Sequence, residues 1–190
     1  LIMDSFASLA LATEAPSDKL LKRKPYPKDS DIITNTMKVN IGAQSLYQIT
    51  ILLFIIFKGD VLFGVPSDRE LDHFTWNKKN GYHFTIFFNI FVLLQVFNSI
   101  NARKLQRSET NVFAGIFNNW YYLFINAITI IGQVIMVQYG GRALRTQPLS
   151  LHQHLMCIAI ASSCLIIGFI VKFLPVGLDE TEGAPGMSIA

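Results

Sequence analysis

Asp4 is the residue of this sequence best suited to do chemistry. It stands in the run Leu1-Ile2-Met3-Asp4-Ser5-Phe6-Ala7-Ser8-Leu9-Ala10-Leu11-Ala12, which is otherwise apolar and small, and no Lys or Arg precedes Lys19. Inside a membrane helix a carboxylate is expensive to ionise, and such groups serve ions, protons or substrates. Other candidates are less specific. His152 and His154 precede the last apolar run with no third ligand in sight, so they do not make a zinc site. Cys157 and Cys164 lie seven apart within an apolar run, a spacing that shares a helix face and suits neither metal nor disulfide. Free thiols in that setting behave as small hydrophobes.

The elements that would carry these residues are membrane helices. Hydrophobic residues make up 51% of the chain and charged residues 15%, with a mean hydropathy of +0.38. A soluble domain usually carries roughly 25% charged residues. A membrane helix needs about 20 mostly apolar residues. Val39 to Phe57, Phe84 to Ile100, Trp120 to Tyr139 and Leu155 to Val171 are four such runs after the opening one. Their polar residues do not alternate with period two, which argues against strands. The expected fold is therefore an all-α polytopic transmembrane bundle, a partial helix plus four full spans. The expected helices are 1-14, 39-58, 83-101, 118-139 and 153-174. Residues 1-175 form the membrane domain, and 176-190, Gly-rich and acidic, read as a disordered cytoplasmic tail. Because the chain begins on Leu, the first helix is expected to be entered partway along a longer polypeptide.

Connecting segments set the orientation. Ten Lys/Arg fall in the first and third connections and the C-terminal flank, against six in the other two. The positive-inside rule places the richer side in the cytoplasm. A formal charge of +3, scattered as it is, gives no case for nucleic acid. Lys22-Arg23-Lys24 suits anionic lipid or docking against cytoplasmic domains. Gln44, Gln48, Asn89, Asn126 and Gln133 are expected to make helix-to-helix hydrogen bonds.

Longer motifs carry a family resemblance. Leu1 to Glu14 with Leu21-Lys22-Arg23-Lys24-Pro25-Tyr26 resembles the sixth membrane helix and following loop of plasma-membrane-type P-type calcium-transporting ATPases. Phe88 to Lys104, Asn111 to Phe117 and Val137-Gln138-Tyr139-Gly140-Gly141 resemble the eighth helix, its loop and the end of the ninth. Ser99 and Ala114 depart from the family, where Glu and Asp are usual.

The resemblance implies part of an ATP-driven calcium pump. It makes Asp4 a calcium ligand, the metal-binding residue of this chain. Calcium takes six to eight oxygens, so the rest of the site must come from the remainder of the pump polypeptide. ATP and Mg2+ belong to the complete protein only: no Asp-Lys-Thr-Gly-Thr motif occurs here, and no catalytic or cofactor-binding residue is assigned. Gln95 occupies a position where two-site pumps carry a carboxylate, which fits a single calcium per cycle or a simple interhelical hydrogen bond. Residues 176–190 hold no Lys, Arg, Trp or Phe, so they supply no calmodulin-binding basic helix. The implied setting is multi-pass in the plasma membrane, with vacuolar or other endomembrane as the alternative. Lipid is a partner, and an accessory subunit stays open. The competing reading is a pump-derived structural membrane subunit that moves no ion.

Overall fold

A computed structural model describes residues 2–13, 33–67, 81–104, 112–113 and 115–173. Lys22-Arg23-Lys24, most of the charged segment between the second and third helices, and the tail 176–190 lie outside the described residues. Among the described residues every regular element is helical. They are α1 (Ile2–Ala12), α2 (Asn35–Phe63), α3 (Tyr82–Arg103), a 3-10 turn (Ile116–Asn118), α4 (Trp120–Tyr139), the single turn α5 (Gly141–Leu144) and α6 (Leu151–Val171).

Caps rather than the ends of the apolar runs fix where these helices stop. Thr34 starts α2 by accepting a hydrogen bond from the Met37 amide at 3.3 Å. Gly64 ends it at φ 61, a left-handed conformation that glycine takes without steric cost. The helix therefore runs from Asn35 to Phe63 and absorbs Lys38, Lys58 and Asp60, which hydropathy places in loops. Asn119 caps α4 through Tyr122 N at 3.0 Å. Ser150 and Gln153 form a reciprocal capping box at the start of α6, with bonds of 3.3 and 2.9 Å. That box starts α6 at Leu151 and puts His152 and His154 on its first turn.

Four helices, α2, α3, α4 and α6, are long and apolar enough to cross a membrane. At 11 residues α1 is too short to span alone. The bundle is organised around α3, half of whose apolar window is buried, against much smaller shares of the other three. Ile86, Ile90, Leu93 and Leu94 of α3 meet Ile55 of α2, Val137 of α4, and Cys157, Ala161 and Cys164 of α6 in one core. α1 packs on α4 and on α3. Leu46, Ile49, Ile131, Ile166 and Phe124 point outward, which is the expected arrangement when the solvent is lipid as apolar as the core.

Close approach of α6 to α3 depends on one missing side chain. At Gly168 a Cβ would stand 2.5 Å from the Asn101 amide, which instead lies flat against α6 and donates to the Cys164 carbonyl at 3.0 Å.

Candidate functional site

Asp4 lies on α1, and its side chain is outside what the structure describes. What the structure does give is the seat of its helix. Leu11, seven positions and about two turns further on, packs beside Ile116 and Tyr122 with Ile100, Leu123 and Ile125. Tyr122 is 2% exposed, and three contacts hold it. Its hydroxyl lies 3.1 Å from Ser99 Oγ, the Arg103 guanidinium sits 4.8 Å over its ring, and its backbone amide bonds Asn119. A cation over an aromatic face is attracted by the ring quadrupole. So the end of α1 is docked on a locked aromatic platform built by α3 and α4. Sequence reasoning missed this platform. Of the adjacent aromatics Trp120, Tyr121 and Tyr122, the first two point outward while Tyr122 turns in.

The five amides expected to join helices do so. Gln44 of α2 accepts from the Cys164 thiol of α6 at 3.1 Å. Gln48 accepts from Gln95 Nε2 at 2.9 Å, linking α2 to α3. Asn89 of α3 bonds Gln133 of α4 at 3.3 Å and lies 3.4 Å from His154 of α6. Asn126 takes a 3.4 Å bond from Ser99. Two further links were not legible in advance. His83 Nε2 lies 2.8 Å from the Ile55 carbonyl, with the small Gly59 making room for its ring, and Tyr47 bonds Ser163.

Gln95 belongs to a groove of about 230 Å³ between α2, α3 and α6. Gln44, Gln48, Gln95, Asn98 and Asn101 line it, with Lys172 at one end and no carboxylate. Neutral amides beside an ammonium offer a divalent cation little to offset its dehydration. Among the described residues, no three His, Cys, Asp or Glu come together to hold a metal ion. Within the groove, Gln95 is paired with Gln48.

An all-α bundle with four membrane-crossing helices defines a polytopic membrane protein. Residues 1–174 match the family model described as cation transporting ATPase, C-terminus, and the chain belongs to that family. It is 45% identical over 175 residues to the plasma membrane calcium-transporting ATPase mca-1 of Caenorhabditis elegans, covering 92% of this chain and 14% of that protein. It is 42% identical to the plasma membrane calcium-transporting ATPase 4 of Bos taurus, again over 92% of this chain and 14% of the relative. With the plasma membrane calcium-transporting ATPase 3 of Rattus norvegicus it shares 41% identity over 98% of this chain and 15% of the relative. The chain thus spans about one seventh of the length of the relatives it matches.

Proposed function

We propose that this chain is part of the membrane domain of an ATP-driven plasma-membrane calcium pump, with Asp4 as one ligand of the transported ion and α2 to α6 as the frame that seats its helix. The observation that carries this is a carboxylate within α1 of a chain whose family is that of cation-transporting ATPases. The relatives' printed names supply the ion and the membrane. Chemistry supports the role. A carboxylate is a hard oxygen ligand, and its charge offsets the cost of stripping water from calcium far better in an apolar bundle than at a surface. The rest of the ligand set, and the ATP and Mg2+ chemistry, come from the remainder of the polypeptide. The absence of a carboxylate from the lining of the groove around Gln95 supports a pump that binds one calcium per cycle.

Asp4→Asn in the full-length polypeptide tests the assignment. The substitution keeps size and removes charge. Calcium-dependent phosphoenzyme formation is expected to be lost, while phosphorylation from inorganic phosphate without calcium survives, because the cytoplasmic chemistry is untouched. A variant that pumps calcium with normal affinity would refute the ligand role and move the structural-subunit reading ahead.

A further inference from the structure

A chain of polar groups crosses the bundle where α4 ends and α6 begins. Gln133 Nε2 of α4 lies 3.3 Å from Asn89 Oδ1 of α3, and Asn89 Nδ2 lies 3.4 Å from His154 Nδ1 of α6. Beyond the ring, Gln138 Nε2 of α4 lies 3.1 Å from His154 Nε2 and 2.8 Å from the Leu149 carbonyl. Both ring nitrogens thus face amide nitrogens, which only donate. A neutral imidazole has one acceptor nitrogen and a charged one has none. One of the two amides must therefore turn its oxygen to the ring.

Leu149 decides which. Its carbonyl only accepts, so turning Gln138 would set two oxygens against each other at 2.8 Å. Gln138 stays as it is, and His154 Nε2 accepts from it. The proton of the neutral ring is then on Nδ1, and Asn89 turns to present Oδ1 there. Gln133 turns with Asn89. Its Oε1 is buried without a partner in the present orientation, and the turn lets it accept from Asn89 Nδ2. One backbone carbonyl thereby orients three amides and a tautomer.

We propose that His154 is a proton-operated latch: neutral, with Nε2 accepting from Gln138, it ties the end of α4 to the start of α6, and a proton arriving at Nε2 releases that tie. The released state follows from donor count. A doubly protonated ring sets Nε2–H against the Gln138 amide nitrogen, two donors at 3.1 Å, and Leu149 prevents Gln138 from turning away the conflict. The groups facing the ring are uncharged: Asn89 from α3, Gln138 from α4 and the backbone of Leu149. On α6 itself the titratable side chains within a turn are the exposed His152 and the buried Cys157, and His83 of α3 is turned instead to the Ile55 carbonyl of α2. The ligand of this site is a proton supplied by the medium at that end of the bundle.

Tyr139 and Leu151 are exposed residues on the two sides of the latch. Spin labels at Tyr139→Cys and Leu151→Cys in the membrane-reconstituted full-length polypeptide report its state by their separation. From about pH 7.5 to about pH 5, the range in which a histidine changes charge, the separation is expected to shift from one narrow distance to longer, broader ones. In His154→Gln the narrow distance persists at both values, because the amide cannot titrate. In Gln138→Leu the broad distribution is present at both. An unlatched bundle that owed its opening to general acid damage would open in His154→Gln as well, and that outcome overturns the proposal. So does a wild-type separation that ignores acidification, or a Gln138→Leu variant that stays narrow.

Discussion

Gly168→Ala should pry α6 from α3 although it adds a single methyl group. The new Cβ would stand 2.5 Å from Cγ, Nδ2 and Oδ1 of Asn101, nearly an ångström short of the 3.4 Å at which ordinary contact begins. Asn101 is buried and its nitrogen is committed to the Cys164 carbonyl, so the amide cannot swing away without losing that bond. Overpacking of this kind costs about 1–3 kcal/mol. A cross-helix hydrogen bond in a membrane adds about 0.6 kcal/mol on average and about 1.7 at most. Helix propensity works the other way, favouring Ala over Gly by about 1 kcal/mol. The net is a local destabilisation of about 1–3 kcal/mol, or about 5- to 150-fold in the population of the opened interface. Cys164, fully buried at this contact, is the reporter: its maleimide labelling in the folded protein should accelerate by that factor, located by peptide mapping. Adding Asn101→Ala removes the clash, so the double variant should label more slowly than Gly168→Ala alone. A Gly168→Ala protein that labels at the wild-type rate, or a double variant that labels faster than the single, would refute the reasoning.

Other expectations are milder. Gln95→Ala removes one amide bond to Gln48 and should cost about 0.6 kcal/mol of stability; calcium affinity should not change, and loss of calcium-dependent phosphoenzyme would contradict the reading of the groove. Ser150→Ala removes the hydroxyl that accepts from the Gln153 amide, leaving the backbone half of the capping box, and should weaken the first turn of α6 by about 1 kcal/mol. Hydrogen exchange at the Gln153 amide should then speed up several-fold while the middle of α6 is unchanged.

The spans were legible because a bilayer imposes one dominant rule, and four runs of apolar residues obey it. Their ends were not, because a helix continues past the membrane until a cap stops it. Thr34 and Gly64 lie outside the apolar run of α2, and the Ser150–Gln153 box lies ahead of that of α6. The carboxylate of Asp4 stood out for the same reason that the spans did, as a charge in an apolar run. That the five interior amides would join helices was also legible, since an amide in a membrane helix has few other partners. Which partner each would find was not. Gln48 meeting Gln95, or Asn101 meeting the carbonyl of Cys164, depends on the register of two helices, and register is set by side chains of small size rather than by the amides themselves.

Gly168 and Tyr122 show why the two kinds of information differ. Glycine in an apolar run carries no signal that distinguishes a lipid-facing position from a crossing point, yet here its missing Cβ fixes how closely α6 lies on α3. Tyr122 is one of three adjacent aromatics, and only packing separates the one that turns in from the two that face outward. Both residues meet the same end of α3. α3 carries Asn101 against α6 on one side, and Ser99 and Arg103 against Tyr122 on the other, all within its last two turns. Tyr122 in turn packs with Leu11, near the end of the helix that bears Asp4. The α3–α6 contact and the seat of the helix that bears Asp4 therefore share the end of α3.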